Sequence, residues 1–486
     1  MALAGGAAMA SRVARAAEPA AGSLDVKAFG AVGDGKALDT AAVNKAIDAA
    51  AAAGGGTVRF PAGKYLSTSI HLKSNVTLFL APGSQIVAAD TGYDLAEPNQ
   101  WDHYQDFGHS HWHNSLIWGE GLENAGIVGT GLIWGKGLSR GAREAPRAET
   151  PGNGNKAIAL KNCRNVLLRD FAILHGGHFG VLATGVDNFT VDNLKIDTNR
   201  DGIDIDCCRN VRVSNCSVNS PWDDGICLKS SYGLGWAKPT EMVTITNCYV
   251  AGCFEEGTVL DGTFKKFGPE APGGRHIPHT GRIKFGTESN GGFRHITISN
   301  CVFEGCQGLA LESVDGALLE DVTVTGLSMR DIVSAPIFLR LGSRMRGPEG
   351  TPVGTLRRVI ISDVVCSNAA ARLGSIISGI PGHAIENVKI GNIQVQHQGG
   401  GTKEQAAIQP PEDEAKYPEP GMFGAMPSQG FFVRHVKDIE FTNIEILAEK
   451  DDARPVFALE DVTDFAVRLS EPIPETRLGR VERKTI

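Results

Sequence analysis

The segment "NRDGIDIDCC", Asn199 to Cys208, places Asp201, Asp204 and Asp206 within six positions of a run that otherwise alternates like a strand. Ile203 and Ile205 supply the apolar half of the alternation, and acid supplies most of the rest. Crowded, unpaired carboxylates repel one another and raise each other's pKa. A bound cation relieves that repulsion; otherwise one member holds a proton near neutral pH while another stays ionised. Cleavage of a glycosidic bond uses the second arrangement, with a carboxyl to protonate the leaving oxygen and a carboxylate to activate water.

A second acidic copy follows in "PWDDGICLKS", where Asp224 comes 23 residues after Asp201. Aligning the glycines sets Gly202 beside Gly225, Ile203 beside Ile226 and Ile205 beside Leu228. Asp224 then neighbours Asp201, and Asp223 neighbours Arg200. Asp201, Asp223 and Asp224 form one patch. Asp206 falls opposite Lys229, where a cross-strand ion pair is expected, and Asp204 falls opposite Cys227 as an outer neighbour of the trio. The patch fits acid and base work; it equally fits a calcium site or polar turn residues.

Such neighbours require a chain that winds back on itself with a period near 23. One phrase recurs as "NVLLRDFAI" from Asn165, "NFTVDNLKI" from Asn188, "NVRVSNCSV" from Asn210 and "MVTITNCYV" from Met242. Later copies begin at His295, Arg358, Asn387 and Asp438. Each is a short alternating run rich in Val, Ile and Thr between turn residues, which is strand chemistry. A period in the low twenties without a recurring helix or a leucine skeleton predicts an all-β, right-handed parallel β-helix. Coils stack at about 4.8 Å, so equivalent positions in successive coils become neighbours. "DTAAVNKAIDAAAAAG", Asp39 to Gly54, predicts a short helix capping the open end, with Asp39 or Thr40 as N-cap and Gly54 as stop. The polar, proline-rich stretch from Gly401 to Gly430 reads as an excursion between coils. No second domain is indicated: residues 23–486 read as one β-helix.

The chain has 486 residues, 42% of them apolar, and a formal net charge of −8, which argues against a general nucleic-acid binder. No run approaches a membrane-spanning helix. The start, "MALAGGAAMASRVARAAEP", resembles the back half of a secretory signal, and equally a disordered alanine-rich tail; the former implies a secreted or periplasmic protein. Of ten cysteines, Cys163, Cys216, Cys248 and Cys301 each follow an asparagine, a regularity that suggests a buried stack rather than disulfides.

"NRDGIDID" followed by "WDDGICL", with "GTESNGGFRHITISNC" downstream and "DVKAFGAVGDGKALDTAAVNKAI" near the start, resembles glycoside hydrolase family 28, the polygalacturonase-like pectin hydrolases. The resemblance implies a right-handed parallel β-helix that hydrolyses α-linked galacturonate chains with inversion and without a metal or cofactor. Carried over by position, Asp223 corresponds to the general acid, Asp201 and Asp224 to the pair that activates water, and Asn199 to the family's asparagine before the first aspartate. Three departures stand out. Arg200 replaces a threonine beside the acid. Gly281 stands where the family has a histidine, with His279 two residues earlier. "GLALES" puts Ala310 and Glu312 where a basic pair is expected.

A basic pair does occur one coil early: Arg282 and Lys284 flank Ile283 and leave the same face of the strand. They are expected to hold a substrate carboxylate, or else to balance Glu255, Glu256 and Asp261. His109, His111 and His113 alternate in "HSHWHNSLIW", which on a strand would give the geometry of a zinc triad. No carboxylate or cysteine partner is evident nearby, so a cleft wall with His113 as hydrogen-bond donor and Trp112 as sugar platform is expected instead. Arg340, with Arg344 and Arg346, is a further candidate for a polyanion.

The sequence therefore predicts an inverting glycoside hydrolase acting on pectic, galacturonate-containing chains or oligosaccharides, by endo or exo action. Asp201, Asp223 and Asp224 are the catalytic residues. Substrate contacts are assigned to Asn199, Arg200, Asp204, His279, Arg282, Lys284, Trp112, His113 and Arg340, with no metal or cofactor and with an acidic polysaccharide, neither nucleic acid nor membrane, as partner. The alternatives are a rhamnogalacturonan-type hydrolase, a calcium-dependent lyase on the same fold, and a non-catalytic carbohydrate-binding solenoid.

Overall fold

The computed structural model describes residues 23–106, 108–140, 150–268, 276–470 and 473–486; the alanine-rich segment 1–22, read as a signal remnant or tail, lies outside the described residues. The described strands form one continuous ladder wound as a right-handed parallel β-helix. A middle coil consists of three short strands, for example Lys156–Lys161, Arg164–Arg169 and Ala172–Leu174, followed by Phe179–Thr184, Asp187–Asp192 and Lys195–Asp197. The recurring sequence phrase supplies the second and third strands of each coil. In later coils these two fuse, as in Phe293–Glu304, Thr355–Ala369 and Ile385–His397.

The corners explain the asparagines. Asn165, Asn188 and Asn210 adopt φ values of 56°, 55° and 55°, a left-handed conformation that asparagine tolerates better than most residues. Their amides also stack: Asn188 Nδ2 donates to Asn165 Oδ1 at 2.9 Å, and Asn210 Nδ2 to Asn188 Oδ1 at 2.7 Å. Inward-facing Val166, Phe189 and Val211 lie in the core. All ten cysteines are buried and unbridged, and Cys248 contacts both Cys216 and Cys301.

The predicted helix runs Thr40–Ala52 and buries Val43, Ala46, Ile47 and Ala50 against the first coil. Asp39 occupies the N-cap position without capping: its carboxylate accepts from the amides of Val32 and Gly33 at 2.7 and 3.0 Å, which ties down the preceding turn. Near the other end, Thr476–Thr485 pairs antiparallel with Phe457–Arg468, whereas the ladders between the coils are parallel. Among the described residues no helix is long and apolar enough to cross a membrane.

The excursion between the strands Ile385–His397 and Phe431–Ala448 is pinned to the wall by two buried arginines. Arg340 donates to the carbonyls of Glu412 and Asp413 at 3.0 and 3.2 Å, and Arg434 to those of Pro410 and Pro411 at 2.8 Å each. Arg340 also donates to Ser378 Oγ and the Gly379 carbonyl, and packs on Phe423. It is 1% exposed. The expected polyanion contact at Arg340 is therefore corrected: its donors are spent on the excursion's carbonyls and on Ser378 and Gly379.

Candidate active site

The strand Asp201–Asp206 pairs with Ile226–Ser230 in the register Ile203 to Ile226, Asp204 to Cys227, Ile205 to Leu228 and Asp206 to Lys229. The Gly202 amide donates to the Asp224 carbonyl at 3.0 Å. The alignment expected from the glycines holds. It brings Asp201, Asp223 and Asp224 together, with one oxygen of each within 4.8 Å of the others. They line a cavity of about 210 Å³ together with Asp106, His109, His178, Arg200, Lys229 and Tyr417.

Asp224 is buried and held by cations. Arg282 Nε donates to its Oδ1 at 2.9 Å, and Lys284 Nζ lies 3.6 Å from its Oδ2. Burial alone would raise its pKa, but Lys284 and Arg282 outweigh that and hold the carboxyl below its ordinary value. Both cations are 1% exposed and carry further acids: Glu419 accepts from Arg282 at 2.6 Å, while Glu312 lies 3.6 Å and Glu419 3.7 Å from Lys284. Lys284 is therefore at the site, paired in register with Ala310 of the next coil, but neither cation is open to solvent. Their partners are Asp224, Glu312 and Glu419 rather than Glu255, Glu256 and Asp261.

Asp223 is held differently. Its Oδ2 accepts from Arg200 Nη2, and the two side chains are 25% and 26% exposed. Asp201, next to it, is 2% exposed. Burial, then the charges of Asp223 and Asp204, push its pKa well above the ordinary range. His178 Nε2 lies 3.8 Å away, and burial together with Arg200 keeps that imidazole neutral. Asp204 lies deeper, 3.8 Å from Lys229 Nζ and 3.6 Å from His109 Nε2. Burial raises its pKa against the pull of Lys229 and His109. Lys229 also donates to Glu288 at 3.2 Å.

Several expected contacts fall elsewhere. Asp206 stands opposite Lys229 but does not pair with it; its carboxylate accepts from the Ser231 amide and hydroxyl at 2.7 and 2.6 Å. Trp112 is not a platform: it is fully buried among Ala159, Phe179 and Leu182 with Lys161 over its ring at 4.5 Å. The three histidines do not share a face, because residues 108–116 form turns and bends rather than a strand. His109 enters the cavity, His111 donates to the Glu97 carbonyl at 2.7 Å, and His113 pairs with Glu120 at 2.8 Å and stacks on Trp118.

His279 donates to the Gly252 carbonyl at 2.8 Å and is not part of the cavity wall. Asn199 bonds Glu256, also away from the lining. Arg344 and Arg346 are tied to Asp315 and Asp106. At Gly281, φ is +43° and a Cβ would lie 2.2 Å from the Ala251 carbonyl oxygen, so this backbone admits no histidine there.

Sequence reasoning missed His178, Asp106, Glu288, Tyr417 and Glu419. His178 had a readable signal: it begins the coil before Asp201, directly ahead of Phe179, which pairs with Asp201. Tyr417 and Glu419 come from the aperiodic excursion, where Tyr417 shares a 2.7 Å hydrogen bond with Thr287. Among the described residues, Asp201, Asp223 and Asp224 form one group compact enough to hold a metal ion, and His109, Asp201 and Asp204 form another. Arg200, Lys229, Arg282 and Lys284 already bring positive charge against these carboxylates.

Residues 23–227 match the family described as rhamnogalacturonase A/epimerase, pectate lyase-like. Over 397 residues the chain is 23% identical to a probable polygalacturonase of Vitis vinifera, covering 76% of this chain and 73% of that protein. A stretch of 69 residues is 50% identical to the mannuronan C5-epimerase AlgE3 of Azotobacter vinelandii, covering 14% of this chain and 4% of that protein. Among solved structures, a family 28 exopolygalacturonase of Yersinia enterocolitica superposes with a TM-score of 0.66 at 19% identity, over 95% of this chain and 79% of that one. The fold is thus the right-handed parallel β-helix of that exopolygalacturonase, and the resemblance to the polygalacturonase-like hydrolases read from the sequence is borne out.

Proposed function

We propose that this protein is a glycoside hydrolase that cleaves α-glycosidic bonds in galacturonate-containing pectic chains, with inversion. The observation that carries the reading is the convergence of Asp201, Asp223 and Asp224 from successive coils on one cavity. Asp224, kept ionised by Arg282 and Lys284, takes a proton from water as the water oxygen bonds to the anomeric carbon. Asp223 gives its proton to the departing glycosidic oxygen, and solvent restores both groups. Asp201, buried and adjacent, hydrogen-bonds and orients the water.

The three oxygens lie within 4.8 Å, closer than the about 6.5–9.5 Å typical of inverting pairs and nearer the about 5–5.5 Å of retaining ones. Both oxygens of Asp224 face cations, however, which makes it a poor nucleophile. Proton NMR of the first product decides: initial release of the β-anomer supports inversion, and the α-anomer assigns a covalent route. A second reading, a rhamnogalacturonan-type backbone, is favoured by Glu419, a resident carboxylate already seated on Arg282 and Lys284. A digest of homogalacturonan beside a mixed rhamnose–galacturonate chain separates the two. The substrate is a wall polysaccharide in either case, so the site of action is extracytoplasmic.

A further inference from the structure

We propose that the chain carries a second carbohydrate site outside the catalytic cavity: a hollow floored by Trp134 and ringed by Lys36, Lys64 and Lys136 binds a uronate segment of the substrate polymer. Naming a uronate chain as the occupant rests on the hydrolase reading; the hollow and its charge do not.

The hollow is built by strand alternation. Gly63–Ser67, Ser84–Ala88 and Leu132–Trp134 stack in parallel, with Leu66 beside Val87 and Val87 beside Trp134. Tyr65, Ile86 and Ile133 are buried in the core, so their neighbours Leu66, Val87 and Trp134 face outward. These three side chains floor a cavity of about 490 Å³, within the range of small-molecule sites. Trp134 points its indole nitrogen at His175 Nδ1, 3.5 Å away, which sets the orientation of the ring. Lys136 Nζ stands over that ring at 5.6 Å. Lys64 enters from the same strand as Leu66, and Lys36 from the adjoining strand Asp34–Leu38.

The ammonium groups here are uncommitted. Among the described residues, Lys36, Lys64 and Lys136 make no ion pair. Arg200, Lys229, Arg282 and Lys284, around the catalytic aspartates, are each held by an acid of the chain. Two acids also line the hollow. Asp34 turns its carboxylate to the amides of Lys36 and Ala37 at 2.8 and 2.9 Å, and Asp90 is the other. Three cations against two carboxylates leave the hollow net positive on a chain of net charge −8. Like charges drawn together repel, and an incoming anion relieves that repulsion.

An apolar floor with cations at its rim selects among anions. An inorganic anion engages the lysines and leaves the floor unused. A uronate ring uses both: its C–H face lies on indole, leucine and valine, while its carboxylate meets an ammonium. Trp134 is level with Leu174, and Leu174 with Asp197, four residues before Asp201. The hollow and the catalytic trio thus share one edge of the coil stack, two coils or about 10 Å apart along its axis. A long chain held at the aspartates has further uronates to place here, so the hollow favours polymers over short oligomers.

The test measures binding of an end-labelled galacturonate octamer to the full chain by fluorescence anisotropy, with Asp223→Asn present throughout to keep the octamer intact. Adding Lys36→Gln, Lys64→Gln and Lys136→Gln is expected to weaken binding at least about tenfold and to flatten its salt dependence. Lys389→Gln, Lys437→Gln and Lys450→Gln, an equal change of charge at exposed lysines elsewhere, should leave it unchanged. A galactose octamer and a glutamate octamer should each bind at least about tenfold more weakly than the uronate. Absence of octamer binding, no loss in the hollow variant, or equal losses in the two lysine variants overturns the site. A galactose or glutamate octamer that binds as well as the uronate overturns it too. Uronate binding that depends on the three lysines, in a wild-type protein that cleaves no pectic chain, would instead overturn the hydrolase reading and leave the site standing.

Discussion

Asp223 and Asp224 are adjacent in one turn, yet the protein holds them in opposite ways. Asp224 is 3% exposed and sits on two buried cations, themselves covered by an acid delivered from the 401–430 excursion. Asp223 has one cationic partner, Arg200, accepts besides from the Asp224 amide at 3.1 Å, and reaches solvent together with that arginine. A buried, multiply paired carboxylate has one charge state and one position. A half-open pair can be exchanged by a ligand. The difference separates a fixed carboxylate from a half-open one, although sequence alone presents them as a doublet.

The sharpest way to break this contrast is to neutralise each partner in turn. Asp224→Asn is expected to lower kcat by about 10³-fold or more and to destabilise the fold by about 3–5 kcal/mol, because two buried cations lose a partner. Asp223→Asn should lower kcat comparably yet change stability by no more than about 1 kcal/mol, since its ion pair is half open. Thermal unfolding of both variants beside their turnover checks this. Equal stability losses would erase the distinction.

Next in size is an effect on pH dependence. Asp224 has a depressed pKa, so it remains ionised below its ordinary value of 3.8. The acidic limb of kcat/KM on a pectic substrate should therefore fall below pH 3.8, and Lys284→Met should move it upward. The same depression contributes stability that is present above the unfolded value and lost as pH drops through the folded one.

Glu419→Ala should act more gently. It uncovers Arg282 and Lys284, so sulfate or galacturonate is expected to inhibit the variant at concentrations that leave the wild type unaffected, read as an inhibition constant. Unchanged inhibition would mean that the basic pair is closed even without Glu419.

The smallest effect concerns Glu312. Burial, only partly offset by Lys284, pushes its pKa from 4.5 up to about 8. The folded state thus favours the protonated form, and stability declines as pH rises from 4.5 towards 8. Glu312→Gln should raise the Tm relative to wild type across that interval and make little difference at its acid end.

How much of this was legible beforehand depended on periodicity. Parallel stacking converts a 23-residue spacing into contact, so the aligned glycines predicted the Ile203–Ile226 register and with it the trio. Arg282 and Lys284 were placed correctly by strand alternation, but their partner Glu419 arrives from 137 residues away along the chain, with no period to announce it. Arg340 misled for the same reason, since the excursion's carbonyls consume its donors, whereas Trp112 misled because its own turn-rich segment packs it onto the coil wall at Ala159, Phe179 and Leu182. The histidine alternation failed because it presumed a strand where the chain turns. His178 brings an imidazole within 3.8 Å of Asp201 from the preceding coil, while close packing against Ala251 excludes any side chain at Gly281.

The most direct measurement follows a digest of a galacturonate polymer by two signals at once, new reducing ends and near-ultraviolet absorbance, in wild type and in Asp224→Asn, with and without chelator. The account predicts reducing ends without absorbance, indifferent to chelator and lost in the variant. Absorbing, unsaturated products abolished by chelator would show that the aspartates hold a cation for elimination rather than share out protons for hydrolysis.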